Sequence, residues 1–215
     1  MIFDLKQITD HFGFTIKGVI QVGAFVGEEL PAYRSLGLFN TLLFEPQPKM
    51  FEVVKGKCCK GERVYNVALG SQKGEMEMYL SHTEGGIENG SGASGSLLRP
   101  KKHLTEHPHV RFIDKTTVQV DTLDSFLSEH KINPHDYNFL NVDVQGFELE
   151  VLKGGVDTLN HIDAMILEIN RDEVYEGCPM VEEIDFYVAS AGFQRALTFW
   201  QSESWGDGFY IRVKR

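Results

Sequence analysis

NFLNVDVQGFELEVLKGG, residues 138–155, contains the clearest fold signal of the chain. Its first part, Phe139 to Val144, is a nearly continuous apolar run, which is typical of a parallel β-strand covered on both faces. A Gln-Gly turn follows, and the apolar residues after it share one helical face while Glu148 and Glu150 point elsewhere. Lys153 and two glycines end this helix. The stretch therefore predicts a strand-turn-helix unit of an α/β sheet.

Asp143 lies at the carboxyl end of the predicted strand. In open α/β sheets, ligands bind just beyond the carboxyl ends of the strands, so an acid there faces a site rather than the core. The alternative is that Asp143 only caps the helix that follows. We favour the site interpretation because further acids, Glu45 and Glu168, end other predicted strands.

The composition predicts one α/β domain over residues 1–215, since 42% hydrophobic residues are enough for a substantial core. A net charge of -10 argues against a nucleic-acid partner, which would require a basic face. No stretch approaches the roughly 20 apolar residues of a membrane span, and the N-terminal residues contain no basic leader. Three cysteines without a CxxC pair fit a reducing compartment. We therefore expect a cytoplasmic protein, of an oligomeric state that the sequence does not indicate.

Apolar periodicity and turn residues predict the remaining elements. They are an N-terminal helix from about Leu5 to Phe12, strands at 19–22, 41–44, 63–69, 75–80, 116–120 and 162–169, helices at 28–36, 50–54, 121–130 and 181–191, and a closing hairpin of 193–199 and 209–213. Asp121 is the predicted cap of its helix, and the hairpin turn is expected near Gly206. Trp200 and Trp205 lie at the end of the hairpin, where they either pack or stack on a sugar ring.

The loop after the first strand belongs to the sequence VGAFVGEE at residues 22–29. Its glycines permit a close approach between backbone and ligand. Their spacing is G-x-x-x-G rather than the dinucleotide pattern GxGxxG, and Glu28 and Glu29 would repel a pyrophosphate at the start of the helix. The loop therefore disfavours NAD and favours a positively charged ligand.

Glu45 ends the second predicted strand, about 20 residues after the first glycine of that loop. An acid in this place of an α/β nucleotide-binding fold accepts hydrogen bonds from both ribose hydroxyls. Glu45 is therefore the candidate ribose ligand. Asn66, Val67 and Ala68, near the end of the next strand, offer a small or apolar rim for an adenine ring.

A Gly/Ser-rich lid or insertion is predicted at about residues 75–115. Its run GGIENGSGASGS is too polar for a fixed element and is typical either of a lid over the substrate or of a flexible linker. His103, His107 and His109 have a spacing that resembles a metal cluster. The favoured interpretation is a solvated loop around Pro108, because no predicted helix or strand fixes the three rings together.

Five motifs, in this order and spacing, resemble the FkbM-type S-adenosylmethionine-dependent methyltransferases. They are VGAFVGEE at 22–29, LLFEP at 42–46, NVALG at 66–70, VDVQGFELEVLKGG at 142–155 and LEIN at 167–170. The block at 142–155 is the specific one, since the loop and FEP alone indicate only a Rossmann-like methyltransferase. The resemblance implies a Rossmann-like class I methyltransferase fold, with a seven-stranded, mostly parallel sheet and a C-terminal antiparallel hairpin.

The resemblance also implies S-adenosylmethionine as the methyl donor and a hydroxyl acceptor on a sugar, glycan or other small molecule. It assigns a donor site to Gly23, Ala24, Gly27 and Glu28 at the methionine part, Glu45 and Pro46 at the ribose, Asn66, Val67 and Ala68 at the adenine, and Asp143. Gln21 stands where the family often has an acid. Because Gln21 brings no charge to the donor ammonium, either the donor affinity is lower or Glu28 substitutes for the missing acid.

Methyl transfer to an alcohol requires a base, or a metal that lowers the pKa of the hydroxyl. Asp143 and Glu168 end neighbouring predicted strands, and together with Asn170 they offer three oxygen ligands that suit Mg²⁺. The metal-free alternative makes Asp143, or a lid histidine such as His82, the general base. Both mechanisms remain open from the sequence, and Asp143 is essential in both.

Two other classes of protein are consistent with parts of the sequence. One is a Rossmann oxidoreductase, which the G-x-x-x-G loop disfavours. The other is a catalytically silent sugar-binding or interaction module that keeps the fold. An acidic chain with polar loops around its tryptophans favours a sugar hydroxyl as the acceptor of an active enzyme.

Overall fold

A computed structural model describes residues 3–87 and 91–213 of the chain. In chain order its elements are α1 Leu5–Phe12, β1 Val19–Val22, α2 Leu30–Ser35, β2 Thr41–Phe44, α3 Pro48–Lys57, β3 Glu62–Tyr65, β4 Ala68–Leu69, β5 Gly74–His82, α4 His103–Glu106, β6 Arg111–Asp121, α5 Leu123–Glu129, β7 Phe139–Val142, α6 Glu148–Lys153, α7 Val156–Leu159, β8 Ala164–Asn170, α8 Val181–Ser190, β9 Phe193–Trp200 and β10 Trp205–Arg212. Across these ranges, no helix combines the length and the apolar composition that a bilayer crossing requires.

The main sheet has seven strands in the order β3-β2-β1-β7-β8-β10-β9. Its first five strands in this order are parallel, and β10 is antiparallel to both β8 and β9. Every residue of β1, β2, β7 and β8 is buried, because apolar clusters cover both faces of the sheet. The predicted sheet and its closing hairpin are both present.

The register of the parallel strands brings their carboxyl ends to one edge of the sheet. Val22 of β1 pairs with Phe44 of β2 and with Val142 of β7. The predicted acids Glu45 and Asp143 come directly after two of these strand ends. Leu167 of β8 pairs with Val142, so the next residue of β8, Glu168, lies at the same edge.

A second, smaller sheet in the order β4-β6-β5 carries part of the predicted insertion. The long antiparallel pair β5 and β6 shows that the described part of segment 75–115 is more than an irregular loop. The single strand predicted at 63–69 is wrong, because the chain leaves the main sheet after β3 and joins the second sheet as β4. Asn66 stabilises this turn by donating from Nδ2 to the carbonyls of Glu45 and Pro46, both at 2.9 Å. Residues 88–90 of the predicted lid lie outside the described residues.

Several predicted boundaries differ from the structure, and three of them concern the ends of helices or the hairpin turn. The helix α2 begins at Leu30 rather than at residue 28. Helix α5 is capped by Thr122, whose Oγ1 accepts from Ser125 N at 3.2 Å, whereas Asp121 ends β6. The turn of the closing hairpin lies between β9 and β10, and Gly206 belongs to β10. A Cβ at Gly206 would lie 2.3 Å from the carbonyl oxygen of Phe199, so this glycine serves close strand packing and not a turn.

Glu148 faces inward, contrary to the helical-face prediction. It is fully buried in the first turn of α6, and its Oε1 accepts from the backbone N–H groups of Val144 and Gly146, each at 3.1 Å. The side chain therefore braces the loop between β7 and α6. The residue at the cap position of α6 is Phe147, so the alternative role of Asp143 as a helix cap is wrong.

Candidate functional site

A cleft of about 780 Å³ opens at the carboxyl edge of β1, β2 and β7. The predicted donor-site residues that line it are Gly23, Glu28, Glu45, Pro46, Val67, Ala68 and Asp143. Residues that the sequence did not single out complete the lining, among them Phe25, Gln47, Met78 and Phe147.

Four other predicted donor residues are not among the lining residues: Gln21, Ala24, Gly27 and Asn66. Gln21 is almost fully buried and donates from Nε2 to Glu29 Oε2 at 2.7 Å and to the carbonyl of Gly23 at 3.4 Å. Its Oε1 is buried without a hydrogen-bond partner among the described residues. Gln21 thus leaves a buried acceptor next to the glycine loop.

The backbone of the glycine loop requires a residue without a side chain at Gly23. Its φ is +83°, and a Cβ there would lie 1.7 Å from the carbonyl oxygen of Asp143. The loops after β1 and β7 are therefore in direct contact at this point. Any larger residue would separate Asp143 from the glycine loop.

Glu45 is held by the backbone on both of its carboxylate oxygens. Oε2 accepts from Phe25 N at 2.7 Å, and Oε1 accepts from Gln47 N at 2.8 Å. Burial raises the pKa of Glu45 to about 7, although these two backbone hydrogen bonds oppose the shift. Each oxygen keeps a further lone pair, so a fixed carboxylate of this kind can still accept from ligand hydroxyls.

Asp143 and Glu168 are joined by one side-chain amide. Gln145 Nε2 lies 2.8 Å from Asp143 Oδ1 and 2.6 Å from Glu168 Oε2, while Gln145 Oε1 accepts from Tyr175 Oη at 2.7 Å. The structure thus brings the two predicted catalytic acids together. It also places Gln145 between them, a role that a Gln-Gly turn in the sequence does not reveal.

The two acids differ in their surroundings. Glu168 is buried, and this desolvation, with the nearby charge of Asp143, raises its pKa well above the usual range. Asp143 opens onto the cleft but is enclosed by protein on its other sides, and desolvation and the charge of Glu29 also raise its pKa. Glu168 is the less exposed of the two acids and therefore the one that burial disfavours more in its charged form, which leaves Asp143 as the candidate base.

The predicted Mg²⁺ site at Asp143, Glu168 and Asn170 does not fit this geometry. One oxygen of each acid, Asp143 Oδ1 and Glu168 Oε2, already accepts from the Gln145 amide. Asn170 is fully buried and is not among the residues that line the cleft. Within residues 3–87 and 91–213, no group of three or more His, Cys, Asp and Glu side chains is arranged to hold a metal ion.

His82, the other predicted base, lies away from the cleft at the end of β5. Its Nε2 is 3.1 Å from Asp114 Oδ2 on the neighbouring strand β6. It lines neither this cleft nor a second chamber that adjoins the cleft. The neighbouring residue Thr83 does line that chamber.

A second chamber of about 1070 Å³ adjoins the cleft, and Glu28, Glu29, Ala93, Asp143 and Gln145 line both spaces. Its outer wall is formed by His103, His107 and His109 of the insertion, with Trp205 at the start of β10. The solvated-loop interpretation is wrong for His103, which is buried in α4. Burial, together with the nearby His107, lowers the pKa of His103 to about 4.

The ring contacts of this wall join segments that are distant in sequence. The ring of His107 lies 4.8 Å from that of His103 and 6.3 Å from that of Trp205, while His103 lies 5.5 Å from Tyr175. Glu106 also accepts a hydrogen bond from Ser204 in the hairpin turn. The histidine spacing and Trp205 were separate signals in the sequence, and neither predicted that they form one wall.

Comparison with protein families gives one match across most of the chain. The model of the methyltransferase FkbM domain matches residues 21–195. A curated relative, the 2-O-methyltransferase NoeI of Sinorhizobium fredii, is 31% identical over 140 residues. That match covers 62% of this chain and 55% of NoeI, so the chain spans about half the length of this relative.

Two solved structures share the fold at low sequence identity. The candidate tRNA methyltransferase Sp1610 of Streptococcus pneumoniae, in complex with S-adenosylmethionine, has a TM-score of 0.52 at 10% identity and covers 100% of this chain and 75% of its own. The magnesium protoporphyrin IX methyltransferase of Synechocystis PCC 6803, with the same ligand, has a TM-score of 0.50 at 13% identity, over 91% of this chain and 69% of its own. These likenesses confirm the predicted Rossmann-like class I fold.

Proposed function

This chain belongs to the FkbM methyltransferase family, and we propose that it transfers the methyl group of S-adenosylmethionine to a hydroxyl oxygen of a sugar or glycan. The observation that carries the proposal is the position of Asp143, which lies where the cleft and the second chamber meet. A methyltransferase must bring a donor and an acceptor together at one point beside a base. Oxygen as the accepting atom is supported by the relative NoeI, which is a 2-O-methyltransferase.

The cleft suits the donor because of its charge and its shape. S-adenosylmethionine supplies an electrophilic methyl group on a positively charged sulfonium and contains no phosphate. Acidic residues line the cleft, and no lysine or arginine among the described residues does so. A dinucleotide, in contrast, would require cationic or unencumbered N–H groups for its pyrophosphate. This contrast favours the methyl donor over the oxidoreductase alternative.

We assign the donor contacts as follows. Glu45 accepts from the ribose hydroxyls, Gly23 lets the methionine part approach the backbone, and Val67 and Ala68 border the adenine. Glu28 lines the cleft and accepts from the ammonium group, while Gln21 fixes the neighbouring loop through its hydrogen bonds to Glu29 and Gly23. Ala24, Gly27 and Asn66 belong to the loops that carry these residues, and Asn66 fixes the turn after Glu45 through its two hydrogen bonds.

Asp143 acts as the general base in this proposal. It accepts the proton of the acceptor hydroxyl as the oxygen forms its bond to the methyl carbon and the bond from that carbon to sulfur breaks. Gln145 orients the Asp143 carboxylate, and protonated Glu168 keeps a second negative charge out of the pair. No step in this proposal requires a metal ligand.

Calorimetric titration with S-adenosylmethionine, with and without Mg²⁺ and a chelator, tests the donor site, with NADH as the control ligand. We expect micromolar binding, about -8 kcal/mol, that is insensitive to Mg²⁺, and no heat from NADH. Absence of donor binding would leave the silent sugar-binding module as the better interpretation.

The Asp143→Asn variant tests the catalytic part of the proposal. It should bind the donor yet lose methyl transfer by a factor of about 10² or more. The matched control is Asp114→Asn, which makes the same change at a carboxylate outside both spaces. Transfer at the normal rate by Asp143→Asn would refute the assignment of the base.

A further inference from the structure

The charge of the second chamber limits the acceptors that it can receive. Four carboxylates line it, those of Glu28, Glu29, Asp143 and Glu168. No lysine or arginine among the described residues lines either this chamber or the donor cleft. Even with Glu168 protonated, three acids outnumber the single net positive charge that a bound S-adenosylmethionine would bring.

Basic residues are present nearby, but acids already neutralise them. Lys102 directly precedes His103 of the chamber wall. Its Nζ lies 2.5 Å from Asp172 Oδ2 and 3.4 Å from Glu106 Oε1. Its neighbour Lys101 is paired with Glu173. These two lysines are therefore engaged with carboxylates and do not line the chamber.

Aromatic rings form another part of the chamber lining. In the order Tyr175, His103, His107 and Trp205, successive ring centroids lie 5.5, 4.8 and 6.3 Å apart. His103 is neutral at neutral pH because its pKa is lowered to about 4, so it offers no positive charge to an anion. Flat rings of this kind pack against the apolar C–H faces of a sugar while their edges meet its hydroxyls.

We propose that the second chamber receives an uncharged or amine-bearing sugar and rejects sugars that carry a phosphate, sulfate or other anion. The inference rests on the proposed function, because it concerns the acceptor of the same reaction. It excludes nucleotide-activated sugars, sugar phosphates and nucleic acid from the acceptor site. The reaction class that supplies this acceptor must therefore leave a free glycoside, such as a glycosyl transfer that has already released the nucleotide.

Binding measurements test this inference without knowledge of the natural acceptor. The protein is first saturated with S-adenosylhomocysteine, and saturation-transfer NMR then follows matched hexosides that differ in one substituent: a hydroxyl, an ammonium or a phosphate. The hydroxyl and ammonium members should bind at least tenfold more tightly than the phosphate member. Raising the salt from 50 to 300 mM should reduce this preference, because exposed charges are screened.

A variant that reverses one charge of the chamber provides a second test of anion rejection. Glu28→Lys should bring the phosphate member to within about threefold of the neutral one, because Glu28 lines the chamber from the exposed start of the α2 region. The matched control is Glu182→Lys, which makes the same charge change on the exposed side of α8. It should leave the tenfold preference of the unmodified protein intact.

The outcomes separate this inference from the proposed function. Equal or tighter binding of the phosphate member overturns the inference, and so does the absence of binding by every member of the series. In both cases the methyltransferase assignment stands if the donor binds and Asp143→Asn abolishes transfer. Failure of donor binding in the preceding titration is instead the failure of the proposed function.

Discussion

The side chain of Gln145 connects to Asp143 through a 2.8 Å hydrogen bond from Nε2 to Oδ1. The backbone of Gln145 is in the left-handed region, with φ at +59°, a conformation that is unfavourable for a residue with a Cβ. Ser96 from the insertion donates to the Gln145 carbonyl at 2.7 Å, and Tyr175 donates to its side-chain Oε1. A strained residue that is fixed by three separate segments is expected where geometry matters for function.

Replacing Gln145 by Glu should reduce methyl transfer by about 10² or more, because the variant removes the two donors and adds a third carboxylate beside Asp143. The donor affinity should change by less than about threefold. Rates measured from pH 6 to 9 should show the basic group titrating at a higher pH than in the unmodified enzyme. A merely structural effect would lower the rate without moving this profile.

The control for this variant is Gln119→Glu. Gln119 also donates from Nε2 to a carboxylate, that of Glu75 at 2.5 Å, but on the exposed surface of the second sheet. It should behave like the unmodified enzyme. An unchanged rate and pH profile for Gln145→Glu would mean that the bridge to Asp143 is incidental.

The sequence alone predicted the positions of the acidic residues that lie at the ends of parallel strands. Parallel strands end at one edge, so acids just after strands predict a shared site, and Glu45, Asp143 and Glu168 do lie at that edge. The direction of Glu148 was not predictable from helical periodicity, because the residue lies at the first turn, where unpaired backbone N–H groups attract a carboxylate.

The wall of the second chamber could not be predicted from local sequence patterns. It requires α4 of the insertion to contact the start of β10, about 100 residues later in the chain, and no periodicity encodes that pairing. The position of Gln145 between Asp143 and Glu168 was not predictable either, since a Gln-Gly pair indicates only a turn. Both features depend on long-range contacts that only the folded chain brings together.

Two histidines test which part of the insertion serves the reaction. His82→Ala should leave transfer within about twofold of normal, because its ring lies beside Asp114 and lines neither space. His107→Ala should raise the KM for the acceptor several-fold with little change in donor affinity, because its ring belongs to the chamber wall. Steady-state rates at varied acceptor concentration distinguish the two. The opposite result would restore His82 as the candidate base and place the acceptor elsewhere.

Donor affinity should fall as the pH is lowered through neutrality. The pKa of Glu45 is raised to about 7 by burial, so this carboxyl gains a proton between pH 8 and pH 6. A protonated carboxyl accepts less strongly from ribose hydroxyls. One group of this pKa predicts a loss of roughly tenfold in affinity between pH 8 and pH 6. Calorimetric titrations at three pH values measure it, and a flat dependence would remove Glu45 from the ribose contact.

Glu148 should make the folded state less stable as the pH rises. Burial raises its pKa to about 7 in the folded protein, against an ordinary value of 4.5. The folded state therefore binds the proton more tightly than the unfolded chain, and this contribution is complete below pH 4.5 and is lost as the pH rises through 7. At about 1.4 kcal/mol per pKa unit, the loss is on the order of 3 kcal/mol by pH 8.

The variant Glu148→Gln tests this linkage, since its Oε1 can still accept from Val144 and Gly146 while the titrating group is gone. Urea unfolding from pH 5 to 8 should therefore show a weaker decline in stability for the variant.

Glu150→Gln, two residues away, is the matched control, because the pKa of Glu150 is shifted in the opposite direction. Although partial burial opposes the shift, hydrogen bonds from Lys153 and Ser71 lower the pKa of Glu150. Its loss should therefore reduce stability by a nearly constant amount from pH 5 to 8, because its contribution is lost only below the unfolded pKa of 4.5. Parallel pH profiles for Glu148→Gln and the unmodified protein would show that Glu148 remains ionised in the folded state.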